Sequence, residues 1–265
     1  PGRVMDFSRV RIEIDNGVAV LTLNDPDVMN AAGEPMLDDI LAALDIVEDE
    51  ADGVRCLVIT GAGTAFCSGA NLKERGAGKA KPAGIVLETH WHPLLRRLRR
   101  LHCPVVTAVN GAAAGGGMAL ALTGDIVIAA RSAYFLQAFR RIGLVPDVGS
   151  TWLLPRRIGV ARAMELSLLG EKLPAEKALA WGLINRVVDD GAALDEAMKV
   201  ARELASGPTR ALGLIRGLYW DSTENTFEEQ LDLEYRTQRI AGASEDFKEG
   251  VAAFLEKRAA RFKGK

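Results

Sequence analysis

Two small-residue turns are the parts of this chain best suited to chemistry. The first, Val109-Asn110-Gly111-Ala112-Ala113-Ala114-Gly115-Gly116-Gly117-Met118-Ala119-Leu120, sets three consecutive glycines ahead of an apolar helical run. Bare backbone of this kind lets another group approach the peptide amides directly. Alone, it reads first as a packing corner between a strand and a helix. The second, Ala65-Phe66-Cys67-Ser68-Gly69-Ala70-Asn71-Leu72, follows the strand-like Val54–Gly61 and again puts a glycine just before a probable helix start. Enolisation or acyl transfer needs two N–H donors converging on one carbonyl oxygen, and two such turns supply one each.

A site of that kind also needs a proton acceptor. The candidate is Asp147, in Gly143-Leu144-Val145-Pro146-Asp147-Val148-Gly149-Ser150-Thr151-Trp152. Apolar neighbours would desolvate its carboxylate, the condition for a general base near neutral pH. An aspartate three residues before Ser150 at a helix start is also a good N-cap, so both readings stand. His90, His92 and His102 have no metal-ligand spacing and no matching serine or cysteine nucleophile. The cysteines Cys56, Cys67 and Cys103 form no Cys-x-x-Cys pair. Neither a disulfide nor a metal is expected, and reduced thiols point to a cytoplasmic protein.

The elements that must position these groups follow from periodicity. Arg9–Ile14 and Val18–Asn24 flank Asn16-Gly17, a strong hairpin turn signal. Glu34 to Glu50 has Leu37, Ile40, Leu41, Leu44 and Val47 at helical spacing, and the Val54–Gly61 strand follows. Alternation continues with a helix over Ile85–Leu101, a strand at Val105–Val109, a helix from about Gly117 and a strand at Asp125–Ala130. That pattern predicts an α/β protein with largely parallel sheets covered by helices. Lys73 to Lys81, with Gly76 and Gly78, reads as a mobile loop near the site. Arg96, Arg97, Arg99 and Arg100 interleave with leucines in an amphipathic helix whose charges would face solvent or another subunit. Beyond Leu183–Val188 four helices are expected: Ala192–Ser206, Thr209–Trp220, Thr226–Ile240 and Ser244–Arg261.

Composition sets the bounds. The chain has 265 residues, 48% of them hydrophobic, which is ample for a core. A formal net charge of −2 gives no overall attraction to nucleic acid or anionic membrane, so any anionic ligand must be held locally. No run approaches the roughly 18 apolar residues of a membrane span, and no signal peptide is expected. Small molecules and copies of the chain are the expected partners, with no nucleic acid and no membrane.

The order of motifs resembles the crotonase, or enoyl-CoA hydratase/isomerase, superfamily over nearly the whole chain. The match runs through Asn30-Ala31, Phe66 to Leu72, Asn110 to Gly117, Gly124-Asp125-Ile126 and Gly143 to Pro146. It continues through Ala180-Trp181-Gly182-Leu183 and Glu249-Gly250 to Phe254-Leu255-Glu256-Lys257-Arg258. The resemblance implies a crotonase-type spiral of repeated β-β-α units (residues 5–205) and a C-terminal helical trimerisation region (206–265). It implies a homotrimer, or a hexamer of two trimers. It also implies an acyl-CoA thioester substrate, coenzyme A entering as part of that substrate and no separate cofactor. By position the oxyanion-hole amides would be those of Ala70 and Gly116. Ala31, Phe66, Ser68, Gly69, Leu72, Lys73, Gly115 and Phe139 would line the substrate and CoA site. Phe254 and Lys257 would reach the CoA nucleotide across a subunit boundary.

The chain departs from the hydratases of that family, whose two glutamates fall where Ala119 and Phe139 stand here. Hydration needs groups that activate water and supply a proton. One carboxylate, by contrast, can shuttle a proton between two carbons, which is the requirement of a double-bond isomerase. The stretch Phe135 to Asp147 and Trp152 to Arg156 is most similar to the ring-1,2-epoxyphenylacetyl-CoA isomerase branch. The alternatives are a hydratase, a 4-halobenzoyl-CoA dehalogenase-like enzyme with Asp147 as nucleophile, and a noncatalytic acyl-CoA binder. Val28 and Met29 stand where many relatives carry a basic residue, so phosphate contacts would fall to Lys73 and Lys257.

Overall fold

The computed structural model describes residues 2–75, 82 and 84–265. The chain enters as an antiparallel meander in which β1 (Arg3–Asp6) pairs with β2 (Val10–Asp15) and β2 pairs with β3 (Val18–Leu23). Val10, Ile12 and Ile14 of β2 point inward and their neighbours outward, the period-2 pattern of a half-buried strand. Asn16 and Gly17 take φ values of 48° and 77°, the two-residue turn that matches strand twist. β1 was not expected, because it is an edge strand with no buried residue to mark it.

After α1 (Glu34–Glu48), which buries Met36, Leu37, Ile40, Ala43, Leu44 and Val47, the chain winds in repeated turns. The first holds β4 (Cys56–Gly61), β5 (Ala65–Cys67) and α2 (Leu72–Arg75). A π-helical turn at Leu87–Trp91 leads into α3 (His92–Arg100). The next turns hold β6 (Val105–Val109), β7 (Ala112–Ala114) and α4 (Gly116–Ala121), then β8 (Ile126–Ala130), β9 (Tyr134–Leu136) and α5 (Ser150–Leu169). β10 (Lys172–Pro174), α6 (Ala175–Ala180) and β11 (Arg186–Val188) close the spiral.

Successive turns stack one strand into each of two sheets. The seven-stranded sheet has the order β1-β2-β3-β4-β6-β8-β11 and is parallel from β3 onward. The four-stranded sheet has the order β10-β9-β7-β5, with β5, β7 and β9 parallel and β10 antiparallel. The strands expected from periodicity are those of the large sheet. The short second strands carry buried alanines and give no alternation to read. Lys73 lies in the single turn of α2 rather than in a loop, and residues 76–81 of that expected loop lie outside the described residues.

α7 (Ala193–Ser206) packs over β4, β6 and β8, and α8 (Thr209–Ser222), α9 (Phe227–Gly242) and α10 (Glu245–Leu255) follow. α9 opens on a capping box between Thr226 and Glu229, and α10 on Ser244, whose hydroxyl accepts the Phe247 N–H. The last helix is shorter than expected, ending at Leu255 rather than Arg261, because Lys257 turns into the left-handed region at φ 53°. The segment beyond it folds back onto the buried Asp246, whose carboxylate accepts the N–H groups of Lys263 and Gly264 at 2.7 Å each.

Two arginines join α8 to the spiral. Buried Arg216 pairs with Asp125 and donates to the carbonyls of Leu101 at 2.7 Å and Leu98 at 3.0 Å. Arg55 donates to Thr209 Oγ1 at 2.8 Å and to the Gly207 carbonyl at 2.6 Å. Of the four arginines of α3, Arg96 and Arg100 are exposed as expected, whereas Arg97 and Arg99 are half-buried in ion pairs with other helices. Arg97 binds Asp45 and Glu48 of α1, while Arg99 pairs with Asp221 and Glu224 beside the stacked rings of Trp152 and Trp220. All three cysteines are buried and free. Burial pushes the thiol of Cys67 up to about 11 and that of Cys103 to about 12. Cys56 is driven higher still by burial, with Cys103 and Asp125 adding to it.

Candidate active site

The first donor turn is set by the loop after β3. Asn30 is fully buried with φ 55°, and its side chain accepts the Asp25 N–H and donates to the carbonyls of Ala62 and Ala65, all at 2.9 Å. That fixes the neighbouring Ala32 against the turn after β5. Ala32 donates to the Gly69 carbonyl at 2.7 Å and accepts the Asn71 N–H at 3.3 Å. Because the parallel bridge between Ala32 and Ala70 uses the peptide groups on either side of Ala70, the Ala70 N–H itself points away from it. No backbone or side-chain acceptor among the described residues takes that N–H.

The second donor turn is the glycine run. Gly115 N–H bonds the Leu136 carbonyl at 2.8 Å, and its φ of 53° with ψ −126° is open to glycine alone. Gly116 then begins α4, so its N–H has no partner within the helix. Gly117 is where the packing-corner reading applies, since a Cβ there would fall 2.2 Å from the Cys67 carbonyl oxygen. The run therefore combines, on adjacent residues, an N–H without a helical partner at Gly116 and close packing at Gly117. Gly69, at φ 99°, brings the first turn against the second, and a Cβ on it would lie 2.9 Å from the Ala114 carbonyl oxygen.

Both turns open on a cavity of about 500 Å³. Its lining includes Asp147, Ala70, Gly116, Ser68, Gly69, Leu72, Gly115 and Phe139. Asp147 is half-buried, and the N-cap of α5 is Gly149 rather than Asp147, whose backbone carbonyl accepts the Ser150 N–H at 2.9 Å. The cap alternative is thereby corrected: the helix starts two residues too late for the aspartate to occupy the capping position. Phe139 stands in a 3-10 turn with its ring edge against Gly115. Ala119 is fully buried in α4 and lies off the lining.

The other expected residues lie elsewhere. Phe66 is fully buried in the core as the middle residue of β5, and Ala31 sits one residue from the lining at Ala32. Lys73 is exposed on α2 between the lining residues Leu72 and Glu74. Phe254, 83% exposed, and Lys257 stand at the end of α10, off the cavity.

The cavity also contains residues that periodicity did not single out. Trp91 is buried at the end of the π-helical turn, and its indole lies against Gly116. Glu34 and Glu74 bring two further carboxylates, and the Glu74 carboxylate lies over Gly33. Val148 and Arg141 complete the side near Asp147. A π-helical turn, common at functional sites, leaves no trace in periodicity, so Trp91 read only as part of the α3 helix. From the sequence, Glu34 stands only as the first residue of the expected helix over 34–50.

Among the described residues no group of three or more His, Cys, Asp or Glu side chains is placed to hold a metal ion. No helix among them is long and apolar enough to cross a membrane. Two amides without an acceptor among the described residues, lining one cavity with a carboxylate on a spiral of β-β-α turns, make a candidate site for stabilising an enolate oxygen and moving a proton.

Residues 13–265 match the family described as Enoyl-CoA hydratase/isomerase, and the chain belongs to it, a family of enzymes acting on acyl-CoA thioesters. Among its relatives is the 1,2-epoxyphenylacetyl-CoA isomerase of Escherichia coli (strain K12), 50% identical over 99% of this chain and 100% of that one. A probable enoyl-CoA hydratase of Rhodobacter capsulatus is 46% identical over 98% of this chain and all of its own length. The solved structure of a putative enoyl-CoA hydratase/isomerase from Mycobacterium abscessus superposes with a TM-score of 0.91 at 38% identity, covering 97% of this chain and 100% of that one.

Proposed function

We propose that this chain is an enoyl-CoA isomerase in which Asp147 is the single proton carrier and the N–H groups of Ala70 and Gly116 hold the thioester oxygen. The carboxylate takes a proton from carbon 2 of a 3-enoyl-CoA. The dienolate charge gathers on the thioester oxygen between the two amides, and the same proton returns at carbon 4. No bond to water forms, and the double bond ends conjugated with the thioester. Each amide of such a pair is worth roughly 3 kcal/mol in the transition state. The observation that carries the reading is that Asp147 shares the cavity with both amides, whereas Ala119 and Phe139 provide no carboxylate at the hydratase positions.

Glu34 and Glu74 favour hydration as a second reading, since both reach the cavity and either can activate water. Mass analysis of 3-enoyl- and 2-enoyl-CoA thioesters incubated with the protein in ¹⁸O-water separates the two. Interconversion without gain of labelled oxygen is expected; label at carbon 3 as the main product would replace isomerisation by hydration.

The assembly we propose is a trimer, or a pair of trimers, built through the 206–265 region on the 5–205 spiral. Phe227, Tyr235, Phe247 and Phe254 of that region are exposed apolar side chains in need of cover. In that assembly Phe254 and Lys257 of one subunit approach the CoA bound to the next, and Lys73 lies beside the cavity mouth as a further phosphate partner. Free buried thiols suit a reducing, cytoplasmic setting. Light scattering gives the mass of the assembly, and a monomer at micromolar concentration would exclude this arrangement.

A further inference from the structure

Asp147, Val148, Gly149 and Ser150 form a tight turn closed by the 2.9 Å bond from the Ser150 N–H to the Asp147 carbonyl. Its two central residues, Val148 and Gly149, both have positive φ, 52° and 76°. Turns with this pair of values are occupied by glycine, asparagine or aspartate, and a β-branched residue there is strained. Gly149 follows that rule and Val148 breaks it. Strain of this kind persists only where the surrounding packing holds it, and it concentrates at working sites.

What the valine gains in return is visible in its contacts. Val148 is 2% exposed, and its Cγ2 would lie 3.3 Å from a Cβ placed on Gly116. The Trp91 ring meets the same point at 3.2 Å. The two side chains thus fill the space beside the bare Cα of Gly116, one on the peptide that follows the base and the other on the π-helical turn.

We propose that Val148 is a positioning residue that spaces Asp147 from the Gly116 amide by pressing its branched side chain on Gly116. The residue before it in the turn carries the proton, and the residue it presses on supplies a donor to the oxygen. A single rigid contact therefore sets the distance between the two halves of the site. Sub-ångström errors in that distance lower the rate more than they lower ground-state binding.

The inference rests on the isomerase reading of Asp147 and Gly116, and the Asp147→Asn variant, measured alongside, tests that reading separately. In the test, Val148→Ala, Val148→Gly and Val148→Thr are compared for isomerisation of a 3-enoyl-CoA, with kcat and KM resolved and the melting temperature recorded. Threonine retains the branched shape, its Oγ1 taking the place of the Cγ2 methyl that lies against Gly116; alanine and glycine do not. The expected result is a fall in kcat of tenfold or more for alanine and glycine, KM within threefold, and recovery of most of the loss by threonine. This holds even for glycine, whose backbone is at ease in the turn. Val148→Ala or Val148→Gly at the native kcat, or a threonine variant as slow as alanine while melting normally, overturns the inference. If Asp147→Asn retains full activity, the isomerase reading fails first, whatever the Val148 variants do.

Discussion

Gly69 and Gly115 face each other without side chains at the join of the two donor turns: a Cβ on Gly69 would stand 3.8 Å from the Gly115 Cα, and one on Gly115 4.0 Å from the Gly69 Cα. Both residues have positive φ, 99° and 53°. The separation of the Ala70 and Gly116 amides is therefore a backbone-to-backbone distance, insensitive to rotamer changes. Preorganisation of this sort removes the reorganisation cost that mobile donors would impose.

Gly117 bears on that geometry from below. Replacing it by alanine puts a methyl 2.2 Å from the Cys67 carbonyl oxygen and 2.8 Å from its carbonyl carbon and Cβ, backbone-fixed atoms that no rotamer change can move. The expected outcome is a loss of more than about 3 kcal/mol in chemical denaturation, the range of severe overpacking. A Gly117→Ala protein within 1 kcal/mol of the parent would contradict the packing described.

Asp125 neutralises the guanidinium of Arg216, which is 5% exposed. Truncation to Asp125→Ala leaves that charge buried and also removes the acceptor of the Val105 N–H. Destabilisation of roughly 3–5 kcal/mol is expected from breaking one side of such a pair. Substituting both Asp125 and Arg216 by apolar residues should recover part of it, as urea titration of the two variants would reveal.

The thiols offer a chemical check on the fold. With all three buried and their titration moved upward by burial, none should react with a thiol-specific disulfide reagent at neutral pH in the native protein. All should react in denaturant. Fast native labelling of Cys67 would show that the wall beneath the glycine run opens.

At the C-terminus, Arg258 and the Arg261 N–H hold the Glu249 carboxyl down from its ordinary 4.5 to about 2. A depressed carboxyl pKa contributes stability that is complete above the unfolded value of 4.5 and disappears as pH falls through the folded value near 2. Hydrogen exchange in residues 256–265, taken relative to the intrinsic rate that itself slows in acid, should therefore lose protection across that acid window. In a Glu249→Gln protein it should already be fast at pH 6 and change less on acidification. A native-like exchange profile for Glu249→Gln at pH 6 would show that other contacts hold the segment.

Much of this architecture is legible in the chain because the large sheet and the amphipathic helices obey simple periods. The Asn16-Gly17 turn, the β4, β6 and β8 strands and α1 follow directly from alternation and helical spacing. What periodicity misses is where short buried pieces pack. Ala112–Ala114 and Ala65–Cys67 are too short and too uniformly buried to show alternation, so the second sheet is invisible in pattern. Glycine placement and apolar surroundings single out the two turns and Asp147 as candidates, and the fold brings them to one cavity. No such signal singles out Trp91 and Val148, since their roles depend on a π-helical turn and a strained turn that no residue-level preference announces. Helix α10 was overextended for a related reason, as nothing in Lys257 itself favours the left-handed geometry that ends it.

The account stands most directly on Asp147 as the sole proton carrier. Its central measurement is the rate at which Asp147→Asn converts a 3-enoyl-CoA to the 2-enoyl isomer, read beside the melting temperature and the affinity for the product thioester. An unchanged melting temperature and affinity with kcat lowered by about 10³-fold or more, the scale of a lost general base, is the predicted result. Isomerisation at the native rate by a folded Asp147→Asn protein would contradict it.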